Sequence, residues 1–449
     1  SLSGLLTLGT DAAAGGNVSL NGKEGVVIAA NLSTDGGNIV LNERFKADPL
    51  SKITLDGNVT LSTVGGNVTF WSELAWEGGN LTLDTGAGSI AFEKVVDGLG
   101  QMDVLSGKDL TAKGNVTADS IQLGAGLTGT VAFLENLQTG SLTTEAGDFG
   151  VTITQSPNSI GGFTTFNNRG VVTLGQKGRV NFEEGVLASP TLSGSGPSKV
   201  VLWNDVTTET GGISFENVEI SEDALVHLSG LSNPPGGPSV LVPLQGDITL
   251  GTVLGASGQA AGSLFMQTAD GFSVSILGDL GPNLKDVSVS TPLIIWDGQT
   301  VDVTGNFSVT ADDILSDIVP VIRSTGGGKI TISPWSANRP IWLGTGGPED
   351  GTALNLDRVL ASTYTTGTVE IGSANAGAIT VAGALNASAN GISRLILKNG
   401  TGKLDFSQSG QIFLPKDTTV DLQVGGDISG WFDGTQVYTS PVSYTHLTL

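Results

Sequence analysis

One five-residue phrase returns along this chain at a nearly constant interval, and that return constrains the fold more than any other feature. Gly16-Asn17-Val18-Ser19-Leu20 recurs as Gly37-Asn38-Ile39-Val40-Leu41, Gly57-Asn58-Val59-Thr60-Leu61 and Gly79-Asn80-Leu81-Thr82-Leu83, then in weaker form as Gly100-Gln101-Met102-Asp103-Val104. The second residues stand at 17, 38, 58, 80 and 101, intervals of 21, 20, 22 and 21. Further copies at Gly66-Asn67-Val68-Thr69-Phe70 and Gly114-Asn115-Val116-Thr117 fall between the main returns, so one coil can carry the turn more than once. Each phrase ends in an apolar–polar–apolar triplet, the period-two signature of a strand. Gly-Asn suits a turn, because both residues tolerate positive φ. A strand of three to five residues cannot bury its apolar side alone, but the same strand stacked from successive coils can. The expectation is an all-β parallel β-solenoid of about 21 residues per coil, and hence about 21 coils in 449 residues.

The unit persists downstream with a blurred consensus. Ile121-Gln122-Leu123, Ser141-Leu142-Thr143 and Gly162-Phe163-Thr164 follow at similar intervals. Later come Gly212-Ile213-Ser214-Phe215, Asp247-Ile248-Thr249-Leu250, Lys329-Ile330-Thr331-Ile332, Ala378-Ile379-Thr380-Val381 and Lys403-Leu404-Asp405-Phe406. Sandwich strands would carry no fixed 21-residue echo, and a propeller would echo at about 40 residues or more. The leucine-rich repeat frame is missing. Only Thr310-Ala311-Asp312-Asp313-Ile314-Leu315-Ser316-Asp317-Ile318 has a helical look, and it reads as a short helical insertion. Three regions result: residues 1–290 as Gly-Asn coils, residues 291–440 as a continuing helix of strands with that insertion, and residues 441–449 as a non-native or disordered tail that breaks the pattern. Ser1 begins inside the repeat and neither end shows a capping pattern, so a segment of a longer protein is expected.

Composition narrows the function. Lys+Arg number 20 against 43 Asp+Glu, a net charge of −23, which argues against nucleic acid or an anionic membrane surface as partner. The acidity reads as solubility, with divalent-cation binding as the alternative. The absence of Cys removes disulfides, CxxC zinc sites and thiol catalysis. No stretch approaches the roughly 18 apolar residues of a membrane span.

The Gly-Gly-Asn-Val type of coil resembles the β-helical shaft of filamentous-haemagglutinin-like large exoproteins, and of autotransporter-passenger-type adhesins, of Gram-negative bacteria. A second passage carries the same likeness: Asn338-Arg339-Pro340-Ile341-Trp342-Leu343-Gly344-Thr345, then Leu354-Asn355-Leu356-Asp357-Arg358-Val359-Leu360, Val369-Glu370-Ile371-Gly372 and Gly377-Ala378-Ile379-Thr380-Val381. The resemblance spans most of residues 1–440. It implies a right-handed parallel β-helix, export to the bacterial cell surface through an outer-membrane transporter, and a structural or adhesive role toward host-cell or surface glycans and proteins. It implies no cofactor.

Parallel β-helices also host polysaccharide lyases and hydrolases, which need paired carboxylates about 5–10 Å apart. The adjacent acidic pairs are Glu183-Glu184, Glu222-Asp223, Asp312-Asp313 and Glu349-Asp350. Neighbours on a strand point to opposite faces, so each pair reads as a solvated turn or face. His227 lies in the alternating segment Ala224-Leu225-Val226-His227-Leu228 and reads as an exposed strand residue; His446 lies in the tail. Ser324-Thr325-Gly326-Gly327-Gly328-Lys329 looks like a phosphate-cradling loop, but Ile330 stands where Ser or Thr should hold Mg²⁺, so it reads as a turn entering a strand. Trp71, Trp76, Trp203, Trp296, Trp335, Trp342 and Trp431 would make a sugar-stacking platform only if several shared a face; packing is the simpler reading. No residue is assigned a catalytic, cofactor or metal role, and the chain is read as a non-enzyme.

Overall fold

The computed structural model describes residues 6–430 except 10, 77–78, 156–157, 233–239, 258–260, 297, 317, 349 and 358, together with short strands at 437–438 and 443–447. The chain is a β-solenoid of about 18 turns with about 22 residues per turn, 52% strand and 2% helix. It divides into two compact units, Ser1–Asn217 and Val218–Leu449. The turns number fewer than 449/21 suggests because several carry inserted loops.

In the first unit a turn contains three strands, such as Val26–Ile28, Leu32–Thr34 and Ile39–Leu41. Each stacks in parallel on its equivalent one turn later: Val26 on Ile53, Leu32 on Leu61, Ile39 on Val68. The middle residue of each triplet faces out, and its neighbours are buried in the core. One inward column runs Leu41, Phe70, Phe92, Ala112, Phe133, Ile153, Leu174 and Leu202 through successive turns. Phe70 and Phe92 stack with ring centroids 4.6 Å apart. Apolar residues meet apolar residues at every rung of this column, which is why the alternation read from sequence is enough to fill the core.

The corners are closed by side chains. At the corner before Ile39–Leu41, the Asn38 N–H donates to Asn17 Oδ1 at 2.8 Å, the Asn67 N–H to Asn38 Oδ1 at 2.8 Å, and the Ser89 N–H to Asn67 Oδ1 at 2.7 Å. A second corner carries its own ladder, in which the Asn80 N–H donates to Asn58 Oδ1 and the Gln101 N–H to Asn80 Oδ1, while two residues along the Thr60 N–H donates to Asn31 Oδ1. A backbone that bends out of the sheet leaves these N–H groups without a ladder partner, and the carboxamide of the turn before supplies one. The Gly preceding Asn67 is needed for close approach: a Cβ on Gly66 would lie 2.1 Å from the Gly37 carbonyl oxygen.

The two ladders correct the single echo seen in sequence. Positions 17 and 38 belong to the first corner, whereas 58, 80 and 101 belong to the second. The turn from Asn38 to Asn67 is 29 residues long because it holds an inserted loop with a 3₁₀ turn at Glu43–Phe45. That insertion advances the sequence by nearly the spacing between corners, so the 21-residue count continues while the position in the coil changes. A coil does carry the turn twice, as the intermediate copies implied.

The second unit keeps the triplets at Ile248–Leu250, Ile330–Ser333, Ile379–Asn386 and Leu404–Phe413, but interrupts them more often. Leu225–Ser232 folds back on Val240–Val242 as an antiparallel pair. The expected helix at Thr310–Ile318 is absent: Asp313–Leu315 is a strand, with Ile314 in register with Ile294. The D-D-I-L-S-D-I spacing is helical, but the stacked neighbour decides the conformation. The one α-helix among the described residues is the single turn Pro190–Ser193, capped by Ser189 and closed by Gly194 at φ 75°. Phe163 also departs from its triplet and is exposed, while Thr164 turns inward. In the tail, residues 441–442 and 448–449 lie outside the described residues, and Ser443–Leu447 is a strand beside Thr419–Gln423. Its alternating sequence suits the edge that the stacked sheet offers.

Candidate functional site

The acidic pairs are drawn apart by local geometry. Glu183 accepts from the Ser159 hydroxyl, while Glu184 faces solvent. Glu222 and Asp223 are exposed in a turn, with Asp223 at φ 51°. Asp312 accepts from the Ser336 N–H at 2.7 Å, whereas the Asp313 carboxylate takes the Ile314 N–H at 3.0 Å. Glu349 lies outside the described residues; Asp350 binds the Thr352 N–H and hydroxyl, which hold its carboxyl below the usual range. Among the described residues no group of three or more His, Cys, Asp or Glu could hold a metal ion, and no helix is long and apolar enough to cross a membrane.

His227 is half-buried on its strand, with its ring 5.1 Å from that of Phe265 one turn on. The Ser324–Lys329 segment is a turn leading into Ile330–Ser333, with Gly327 at φ 73°. The described tryptophans have different settings. Trp296 is core, 5.8 Å from Phe307; Trp71 sits at a corner under Lys46, 4.2 Å from its Nζ; Trp203 is partly exposed at an equivalent corner. The Trp76 side chain and Trp431 lie outside the described residues.

Clefts form where insertions disturb the stack. In the first unit, the loop after Asn42 overhangs a cleft of about 270 Å³ lined by Lys46, Asp48, Ser51, Ser72, Glu73 and Lys94, among others. A buried network holds the loop: Asn42, at φ 61°, donates to Ser51 Oγ at 2.7 Å and Ser72 Oγ at 3.0 Å, and the Ser51 hydroxyl donates to Gly22 O at 2.8 Å. Beside it Lys52 pairs with Glu73 at 2.6 Å, which raises the lysine pKa. This cluster of cations in an acidic chain was not singled out from sequence, because Lys46, Lys52 and Lys94 are brought together only by stacking.

In the second unit, Ile341–Gly344 is followed by a loop that returns as Leu354–Leu356, an additional strand parallel to the first, with Trp342 in register with Asn355. Leu354–Leu356 is the edge of a six-stranded sheet, and Asp313–Leu315, the last strand of its own column in the larger sheet, lies beside it. Across this break lies a cleft of about 490 Å³, lined by Ile314, Ser316, Gly346, Asn355, Asp357 and Val359 among others. Compared with protein-family models, curated proteins and solved structures, the chain matches none.

Proposed function

We propose that this chain is a structural and adhesive shaft segment of a secreted bacterial surface exoprotein. The reading rests on one observation. The side-chain ladders repeat turn after turn at the corners, and the strand faces between them present short outward residues such as Ser33, Thr60, Thr69 and Thr82. Such a surface is extended and repetitive, and acidic residues such as Asp109 and Asp279 serve its corners. A scaffold of identical interfaces lengthens by adding turns, which suits projection from a surface.

Display of the chain on a non-adherent bacterium tests this reading. Attachment to host-cell monolayers is expected to rise above that of cells displaying a length-matched globular control. Attachment equal to the control would overturn the adhesive role. Release of reducing ends from a panel of polysaccharides, lost on replacing one acidic residue, would establish a carbohydrate-active enzyme instead.

A further inference from the structure

We propose that the cleft under the inserted loop of the first unit binds a carboxylated sugar residue. The loop is a fixed wall. Asn42, fully buried at φ 61°, donates to Ser51 Oγ at 2.7 Å and to Ser72 Oγ at 3.0 Å, and the Ser51 hydroxyl is spent on Gly22 O at 2.8 Å. A cation–π contact adds a second tie, with Lys46 Nζ 4.2 Å from the centroid of the Trp71 ring. The cleft therefore exists before any ligand arrives. Its volume of about 270 Å³ is at the small end of the range of about 300–1,000 Å³ common for ligand sites, which suits one sugar ring.

The charges select the ligand class. Lys46, Asp48, Glu73 and Lys94 line the cleft, and Lys52 stands beside Glu73 at 2.6 Å. Glu73 is thereby neutralised, whereas Lys46 and Lys94 make no salt bridge with any described residue. Asp97, whose field acts on Lys52, brings the local count to three carboxylates against three ammonium groups. In a chain of 43 acidic and 20 basic side chains, that balance is unusual, and it leaves two cations that no carboxylate of the protein has taken. Both lysines are exposed, and their flexible stems can close on a bound anion. A further donor lies deeper: Ser72, 4% exposed, lines the cleft and accepts from Asn42, but its hydroxyl donates to no described residue. Acceptors are present too, since Asp48 spends one oxygen on the Leu50 N–H at 3.0 Å and keeps the other. Sulfate offers acceptors only and would be repelled by Asp48. A carboxylated sugar offers both kinds of group: its carboxylate to the lysines and its hydroxyls to Asp48. Its C–H face matches the apolar part of the lining, Ala47, Pro49 and Val95.

This inference goes beyond the shaft reading and can fail separately from it, because sugar binding is read on the isolated chain and attachment on displaying cells. The test titrates the full chain with galacturonate, glucuronate and N-acetylneuraminate by saturation-transfer NMR, with galactose and glucose as neutral comparators and sulfate as a competitor. At least one carboxylated sugar is expected to bind, with the neutral sugars about 10-fold weaker. Lys46→Gln and Lys94→Gln are each expected to weaken binding about 10-fold, with circular dichroism retained, while Lys177→Gln, at another exposed position of the same unit, leaves it unchanged. If Lys46→Gln melts early through loss of the Trp71 contact, Lys94→Gln supplies the same readout. The proposal is overturned if no carboxylated sugar binds at about 10 mM, if galactose or glucose binds as tightly, if sulfate binds tighter than the sugars it displaces, or if binding survives the Lys46→Gln, Lys94→Gln double substitution.

Discussion

The first unit holds its turns in register mostly with carboxamides, Asp11 and Asp109 being carboxylate exceptions, and the second mostly with carboxylates. In the first, Asn17, Asn38, Asn67, Asn31, Asn58 and Asn80 accept the N–H one turn later. In the second, Asp247, Asp279, Asp286 and Asp312 do the same for Ser273, Thr300, Asn306 and Ser336, each at 2.7 Å. The geometry needs only an oxygen two bonds beyond Cβ, so the ladder survives the change of residue. What does not survive is regularity. The second unit has an antiparallel fold-back, a sheet break and an extra strand, and a cleft of about 490 Å³ lies at the break. Regular stacking makes a scaffold, while departures from it make concavities.

The largest effect should come from the core. Phe92→Ala, in the continuous inward column, is expected to cost about 3–5 kcal/mol. Hydrogen exchange should show protection lost across neighbouring turns on both sides. Leu356→Ala in the second unit is expected to cost about 2–5 kcal/mol, with lost protection confined near residues 341–365, because the sheet ends there. Equal spread of the two effects would break the comparison.

Next comes Asn42→Ala, which leaves Ser51 and Ser72 without their buried donor and should cost about 2 kcal/mol, read by denaturant unfolding. A single rung is worth less. Asn38→Ala and Asp286→Ala should each lose about 1 kcal/mol, while Asp286→Asn, which restores the acceptor, should lose little. A large loss in Asp286→Asn would mean that charge, and not the oxygen alone, holds the second unit.

The smallest effect concerns acid. Glu216 accepts from the Thr191 N–H at 3.0 Å, the Thr191 hydroxyl at 2.7 Å and the Ser189 hydroxyl at 2.8 Å, and these bonds lower its pKa, the backbone bond most of all. A carboxyl depressed in the folded state adds stability above its ordinary value of 4.5, and that stability is lost as the pH falls through the lowered value. Glu216→Gln should cost about 0.5 kcal/mol at neutral pH, given its exposure to solvent, and the difference from the parent chain should vanish in acid. Calorimetric melts across that range measure it.

Much of this architecture was legible because it is written in short range. Apolar–polar–apolar triplets such as Val68-Thr69-Phe70 and Ile330-Thr331-Ile332 identify strands wherever they occur, and their stacking follows from their inability to bury a face alone. The corner assignment was not legible, because an insertion between Asn38 and Asn67 matched the corner spacing and kept the count intact. A finer signal was present: Thr63 and Thr85 each donate to the carbonyl of Gly66 or Gly88 three residues on, at the corner before the Ile39–Leu41 column. The strand at Asp313–Leu315 was hidden because its conformation depends on Leu293–Ile295. Neither cleft could be read locally. Lys46 and Lys94 are 48 positions apart in sequence, and the Asn355 amide meets Ser316 only through the stack.

The direction of the corner bonds bears on how the chain assembles. In every rung of the first unit's ladders, the side-chain oxygen belongs to the earlier turn and the N–H to the later one. At these rungs the finished turn already holds the acceptor on which the next turn docks, whereas the Ala125 and Leu137 N–H groups wait for Glu145 and Asn158 of the turn that follows.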